Sequence, residues 1–171
     1  MPDATPPYAI TKVFLALWPA ASALPMLQAW RDGATWPQRA KPIQSERLHL
    51  TLHYIGAVPR EHLAAMPTLL TVPCRPVEVL LTRAEVWDND VAVLVPERVP
   101  AALIDLHSAL AAKLAAAGLP VNERPYLPHV TLARNASGAA LAHRPPAPLR
   151  FVEYILAESD RGYRVVHRFG G

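Results

Sequence analysis

The sequence predicts an α+β fold of two pseudo-symmetric lobes, with mostly antiparallel sheets facing a central cleft and helices on the outside. Three observations carry that prediction. Strand-like and helix-like segments alternate, but hairpins interrupt them, which favours antiparallel over wound parallel sheet. A four-residue phrase occurs twice, as His49-Leu50-Thr51-Leu52 and as His129-Val130-Thr131-Leu132. Each copy sits on a strand that follows a helix, the pattern of a divergent internal duplication in which each lobe offers one motif to the cleft. Finally, 171 residues with 51% apolar content suit a single bilobal domain, residues 1–171, with a substantial core.

The elements follow in order. Tyr8 to Trp18 is rich in β-branched and aromatic residues and reads as a buried strand stopped by Pro19. Ala20 to Asp32 reads as a helix with Gly33 as its stop. Trp36 to Glu46 is a polar connector. Arg47 to Ile55 alternates on a period of two and ends at Gly56, a strand. Glu61 to Leu70 is a short helix, and Val77 to Trp87 with Val91 to Val95 form a hairpin across Asp88-Asn89-Asp90. Pro100 to Ala117 is Ala-rich and amphipathic, closed by Gly118 and Pro120, the clearest helix of the chain. Pro128 to Ala133 is a strand and Asn135 to Pro148 a loop. Leu149 to Glu158 and Tyr163 to Phe169 make a final strand pair around Asp160-Arg161-Gly162.

Composition narrows the class. The net charge is +3 and the isoelectric point about 9.3, which suits a polyanionic ligand without demanding one. Fourteen of the seventeen basic residues are Arg, the residue of bidentate phosphate contacts, although joint enrichment in Arg, Ala and Pro also follows from genomic base composition. The single cysteine, Cys74, excludes a disulfide within the chain and reads as a loop residue. The N-terminal residues, with Asp3 and three prolines before Ile10, do not read as a secretory signal, and no apolar run is long enough to span a membrane. A cytoplasmic protein with no membrane partner and no obligate protein partner is the expectation.

The repeated phrase carries the chemistry. A lone His-x-Thr is uninformative, but two copies with an apolar middle residue and a following Leu arise by chance in roughly a few chains per ten thousand. On a strand the side chains alternate, so His49 and Thr51 share one face, as do His129 and Thr131, while their apolar neighbours enter the core. Histidine titrates near neutrality, so a neutral and a protonated imidazole make a general base and a general acid. Threonine hydroxyls can donate to the non-bridging oxygens of a phosphate. In-line displacement at a phosphodiester fits this set. His49 and His53 have the spacing of helical zinc ligands, but on a strand they stand about 13 Å apart, too far for zinc–nitrogen bonds of about 2 Å. No metal and no cofactor are expected.

The segments Arg47-Leu-His-Leu-Thr-Leu-His-Tyr-Ile-Gly56 and Arg124-Pro-Tyr-Leu-Pro-His-Val-Thr-Leu-Ala-Arg134 resemble the two signature segments of the 2H phosphoesterase superfamily, and within it the RNA 2′,3′-cyclic phosphodiesterases, also called 2′-5′ RNA ligases. Val13-Phe-Leu-Ala-Leu-Trp-Pro19 is similar to that family's first strand. The resemblance implies a bilobal fold, metal-free hydrolysis of a 2′,3′-cyclic phosphate to a 2′-phosphomonoester, His49 and His129 as the acid–base pair, and Thr51 and Thr131 on the phosphate. It further points to His49 as the acid at the leaving 3′ oxygen and His129 as the base for water. Relatives often carry Arg where this chain has His53. That residue, on the face of His49 and Thr51, reads either as a phosphate contact in the cleft or as a partly exposed strand-end histidine. Arg134 is similar to an arginine of the family's second motif, but its odd offset from Thr131 needs a bend to bring it to phosphate. Tyr126 reads either as a base-stacking residue or as a loop aromatic packed on Pro125 and Pro128. His62, His107, His143 and His167 read as surface or packing residues.

The expected partners are RNA ends or 2′,3′-cyclic nucleotides and not DNA, which lacks the 2′-hydroxyl that makes the cyclic ester. Two competing readings are a nucleotide- or RNA-end-binding module that has lost turnover, and a phosphodiesterase of the same superfamily acting on another ester, such as ADP-ribose 1″,2″-cyclic phosphate or an oligoadenylate linkage. Arg144, Arg150, Arg161, Arg164 and Arg168 make the C-terminal part basic, as solvated side chains or as a guide for RNA.

Overall fold

Unbroken burial from Val13 to Leu17 places the strand β1 (Ile10–Leu17) inside a sheet, covered on both faces. The structure is a computed structural model that describes residues 9–170. Tyr8, expected to open this strand, and the N-terminal residues before it lie outside them. Val13, Leu15 and Leu17 enter the main core, whereas Phe14 and Ala16 join Ile155 and Ala157 in a smaller cluster on the other face, with Trp18 packed against it.

Nine strands occur among the described residues, and every pairing is antiparallel. One group runs β3 (Leu50–Pro59), β1, β8 (Glu153–Ser159), β9 (Tyr163–Gly170). The other runs β7 (Ala147–Phe151), β4 (Val77–Val86), β5 (Ala92–Pro96), β6 (Val130–Arg134), with the short β2 (Lys41–Pro42) on β6. Among the described residues the two groups are hydrogen-bonded to each other only where β3 pairs with β6, through the partners Leu50 and Val130. These are the apolar middle residues of the two repeated phrases, so the seam of the molecule sets both motifs side by side. The two antiparallel lobes of the sequence reading are thus present.

The helices are few and peripheral. α1 (Leu24–Asp32) buries Leu27 and Trp30 and packs towards β6, and α2 (Met66–Leu69) is a single turn. α3 (Ala101–Ala116) buries Leu103, Leu106, Leu110 and Leu114, one stripe at helical spacing, against β3 and β4. Gly118, at φ +70, lets the Leu119 N–H donate to the Leu114 carbonyl at 2.9 Å, satisfying the helix end as that glycine predicts. No helix of the described residues is long and apolar enough to cross a membrane.

Three differences from the sequence reading bear on the site. The segment expected as one strand from Leu149 to Glu158 is two, β7 and β8, broken at the exposed Val152, and the chain changes lobes there. The first motif strand does not stop at Gly56. It continues to Pro59, and Gly56 takes φ +92 inside it, where the register with β1 shifts. The connector after Trp36 contains β2, whose neighbour Ile43 is pinned by its N–H to the Leu132 carbonyl at 2.8 Å.

Candidate active site

The two motif strands are buried alike. From Leu50 to Tyr54 and from Val130 to Arg134 the order is the same: buried, half-buried, buried, buried, exposed. Two consecutive buried residues break strict alternation, and the register shows how. Thr51 pairs with Ala16 but His53 with Leu15, so β3 holds an extra residue between them. Thr131 pairs with Val93 and Ala133 with Ala92, so β6 carries the same irregularity. Such a bulge turns the residues beyond it to the opposite face. Tyr54 and Arg134, three residues after the motif threonines, therefore rejoin the cleft face. The bend that Arg134 needed exists.

Both histidines are fixed by the same local contact. The His49 Nδ1–H donates to the Arg47 carbonyl at 2.7 Å, and the His129 Nδ1–H to the Leu127 carbonyl at 2.8 Å. In each case the acceptor is the carbonyl two residues back, and a carbonyl accepts only from a protonated nitrogen, so the tautomer is set and Nε2 is the nitrogen left for chemistry. The Thr51 hydroxyl lies 3.1 Å from His49 Nε2 and donates to it in the neutral ring.

The surroundings of the two rings differ. His49 stacks flat on Trp18, with centroids 4.6 Å apart and planes 8° from parallel, beside Phe14 at 5.2 Å and the edge of Tyr163 at 5.4 Å. Among the described residues His129 has one aromatic neighbour, Trp87, tilted at 4.5 Å. Desolvation lowers the His49 pKa to about 4, helped by the charges of His129 and Arg134 and opposed by the Arg47 carbonyl. Burial also lowers His129, again opposed by its carbonyl and helped by Arg134. Both rings are therefore neutral at pH 7 in the free protein, each ready to take a proton at Nε2 when an anion arrives.

One cavity of about 470 Å³ gathers His49, Thr51, His129, Thr131 and Arg134. Lys12, Arg47, Tyr54 and Tyr163 complete most of its wall. Three cations around two imidazoles and two hydroxyls make a site for an anion. Sequence reasoning did not single out Lys12, Phe14, Trp18, Arg47, Tyr54, Trp87 or Tyr163. The alternation of β1 was the available signal for three of them, since Lys12, Phe14 and Trp18 share a parity. Tyr163 arrives from the far end of the chain, which no local pattern announces.

Two expected contacts are corrected. His53 is not among the residues lining the cavity, because the bulge turns it the other way, against α3. Its Nε2–H donates to the His107 carbonyl at 2.8 Å and its ring stacks on His107 at 4.0 Å, with 4% of its surface exposed. Tyr126 stacks on the same His107 at 3.8 Å, and its hydroxyl donates to the Thr51 carbonyl at 2.8 Å, so it packs the strand rather than lining the cleft. His49 and His53, on opposite faces, cannot share a metal ion.

The likeness to known proteins covers most of the chain. The profile of the 2′-5′ RNA ligase superfamily matches residues 17–160. RNA 2′,3′-cyclic phosphodiesterase of Escherichia coli (strain K12) is 32% identical over 130 residues, 75% of this chain and 74% of that protein. The crystal structure of E. coli LigT complexed with 3′-AMP is 26% identical and aligns with a TM-score of 0.81, covering 95% of this chain and 98% of the other. A protein of Thermus thermophilus, 23% identical with a TM-score of 0.74 over 93% and 97% of the two chains, has the same fold. With both motifs on one cleft and a match that runs through both lobes, the chain belongs to the 2′-5′ RNA ligase superfamily.

Proposed function

We propose that this protein hydrolyses 2′,3′-cyclic phosphates, at RNA ends or on free nucleotides, to 2′-phosphomonoesters with a histidine pair and no metal. The observation that carries the reading is the placement of His49 and His129 on one cavity with both Nδ1 atoms bound to carbonyls and both Nε2 atoms left for proton transfer. The E. coli relative named RNA 2′,3′-cyclic phosphodiesterase supports the same substrate class.

In the proposed reaction the cyclic phosphate lies between the motifs. Thr51, Thr131 and Arg134 hold its non-bridging oxygens, where charge grows in the transition state. His129 Nε2 accepts a proton from water, whose oxygen attacks phosphorus in line with the 3′ oxygen. The P–O3′ bond breaks, and His49 Nε2 returns a proton to that oxygen, leaving a 3′-hydroxyl and a 2′-phosphate. The bound anion raises the lowered pKa of His49 so that it is charged when needed. A ribose 5′-hydroxyl in place of water would give a 2′-5′ linkage by the same path. RNA as the substrate class fits a cytoplasmic location.

The test is hydrolysis of a 2′,3′-cyclic mononucleotide in excess chelator, with the product isomer read by phosphorus NMR. A 2′-phosphate formed at an undiminished rate is expected. A 3′-phosphate, or activity restored only by added metal, contradicts the scheme. Binding without turnover favours the binding-module reading.

A further inference from the structure

A second cavity, of about 420 Å³, adjoins the catalytic one. Trp18, Glu46, Arg47, Arg161 and Tyr163 contribute to its lining, and Arg47 and Tyr163 belong to both cavities. The Arg47 guanidinium lies 5.5 Å from the Tyr163 ring centroid, so this pair forms the partition between them. Trp18 has one face on His49 and also borders the second cavity. A molecule in one cavity thus continues into the other past a cation and two aromatic rings.

The cations near the β8–β9 turn are not equivalent. Arg60 and Arg164 are both taken up by Glu158, and Arg60 also meets Asp160 at 3.4 Å. Among the described residues, Arg47 and Arg161 have no carboxylate within ion-pair distance, Glu46 included. The backbone accommodates both. Arg161 takes φ +52 at the tip of the β8–β9 turn, a left-handed conformation uncommon for any residue but glycine. Next to it, Gly162 at φ +119 leaves room for Arg47, whose guanidinium nitrogen would stand 3.1 Å from a Cβ there. Arg47 and Arg161 are therefore the two cations of this wall, and no carboxylate of the described residues pairs with either.

We propose that the second cavity is a subsite for the nucleotide that precedes the cyclic phosphate in an RNA strand. This rests on the function proposed above. With the terminal cyclic phosphate between His49 and His129, the next anionic group along a strand is the phosphodiester on the 5′ side of the terminal ribose. Arg161 and Arg47 hold that group, and Trp18 and Tyr163 offer π-surface to the sugar or base beside it. A free 2′,3′-cyclic mononucleotide has no such phosphate and fills only the first cavity. The protein is accordingly selective for strand ends over free cyclic nucleotides, and Arg161 is a specificity residue remote from the reacting atoms.

The experiment compares kcat/KM for a 2′,3′-cyclic mononucleotide with that for a dinucleotide ending in the same cyclic phosphate, in the wild type, Arg161→Gly and Arg161→Glu. Glycine suits the left-handed backbone, so that variant keeps the turn. The wild type should favour the dinucleotide by roughly five- to tenfold, the size of one charge-assisted phosphate contact near a surface, and salt should erode the preference. Arg161→Gly should remove most of it and Arg161→Glu reverse it, with mononucleotide turnover unchanged in both. Equal kcat/KM for the two substrates in the wild type, or an equal loss on both in the variants, overturns the subsite while leaving the proposed reaction in place. Failure of the wild type to hydrolyse either substrate overturns both.

Discussion

The strands β3 and β6 carry the same phrase, the same bulge and the same histidine-to-carbonyl lock, yet their surroundings diverge. His49 lies under Trp18, Phe14 and Tyr163, whereas among the described residues His129 has only Trp87. Where β6 turns Arg134 back into the cleft, β3 turns Tyr54. The duplicated part sets geometry, delivering an imidazole Nε2 and a hydroxyl from each side. The diverged part sets electrostatics: an apolar aromatic wall on one side and a cation on the other. A symmetric site would give both histidines one proton affinity, and a reaction with one proton taken and one given gains from unequal partners.

The sharpest way to break the pair is to remove either ring. His49→Ala and His129→Ala should each lower kcat/KM on a 2′,3′-cyclic nucleotide by roughly a hundredfold or more. The double variant should be little worse than the poorer single, because the two act as a unit. A near-normal rate in either single variant would release that histidine from the mechanism.

Next in size is the Arg134–Tyr54 difference. Arg134→Ala should cost roughly tenfold, the scale of one charge-assisted phosphate contact, with partial recovery in Arg134→Lys. Tyr54→Ala should cost less, and if the tyrosine proves as costly as the arginine, the assignment of the phosphate to the β6 side is wrong.

A smaller effect concerns the aromatic wall. Trp18→Ala admits water to His49, and because desolvation is the main cause of its low pKa, that pKa should rise from about 4 towards the ordinary 6.5. Proton NMR titration of the imidazole reads this directly. An unchanged value would mean that the wall does not set the affinity.

The smallest effect lies behind the cleft, where His53 and His107 stack. Burial lowers both, His107 to about 4, aided there by the charge of His53. The unfolded chain takes up protons near pH 6.5 and the folded one resists until about 4, so stability is full above 6.5 and falls as the pH drops through that window. His107→Phe should flatten the fall seen by urea unfolding at stepped pH while leaving neutral-pH catalysis near normal. A slope equal to that of the wild type would remove the stack from the acid response.

The lobes and motif strands were legible in the sequence because their signals are local. His49-Leu50-Thr51-Leu52 and its copy read as strands by alternation, and Gly118 marks the end of α3. The bulges were not legible. Leu52-His53 and Leu132-Ala133 contain no Gly, Pro or Asx to announce an extra residue, so strict alternation sent His53 into the cleft and Arg134 away from it. The split at Val152 is silent for the same reason: Phe151-Val152-Glu153 continues a strand pattern, and only the demands of two separate sheets turn it. The aromatic wall was hidden by distance along the chain, since Phe14 and Tyr163 meet only after the sheet forms.

The crossing at Val152 has a consequence for biosynthesis. Every strand of the lobe that carries His129, β2 and β4 to β7, is synthesised before the chain reaches that residue, whereas the lobe that carries His49 needs β1 and β3 together with β8 and β9. Vectorial synthesis therefore completes the strands around His129 first and leaves those around His49 incomplete until the last hairpin emerges. A chain that ends near Phe151 carries every strand of the His129 lobe and lacks β8 and β9, half of the four-strand group that holds His49.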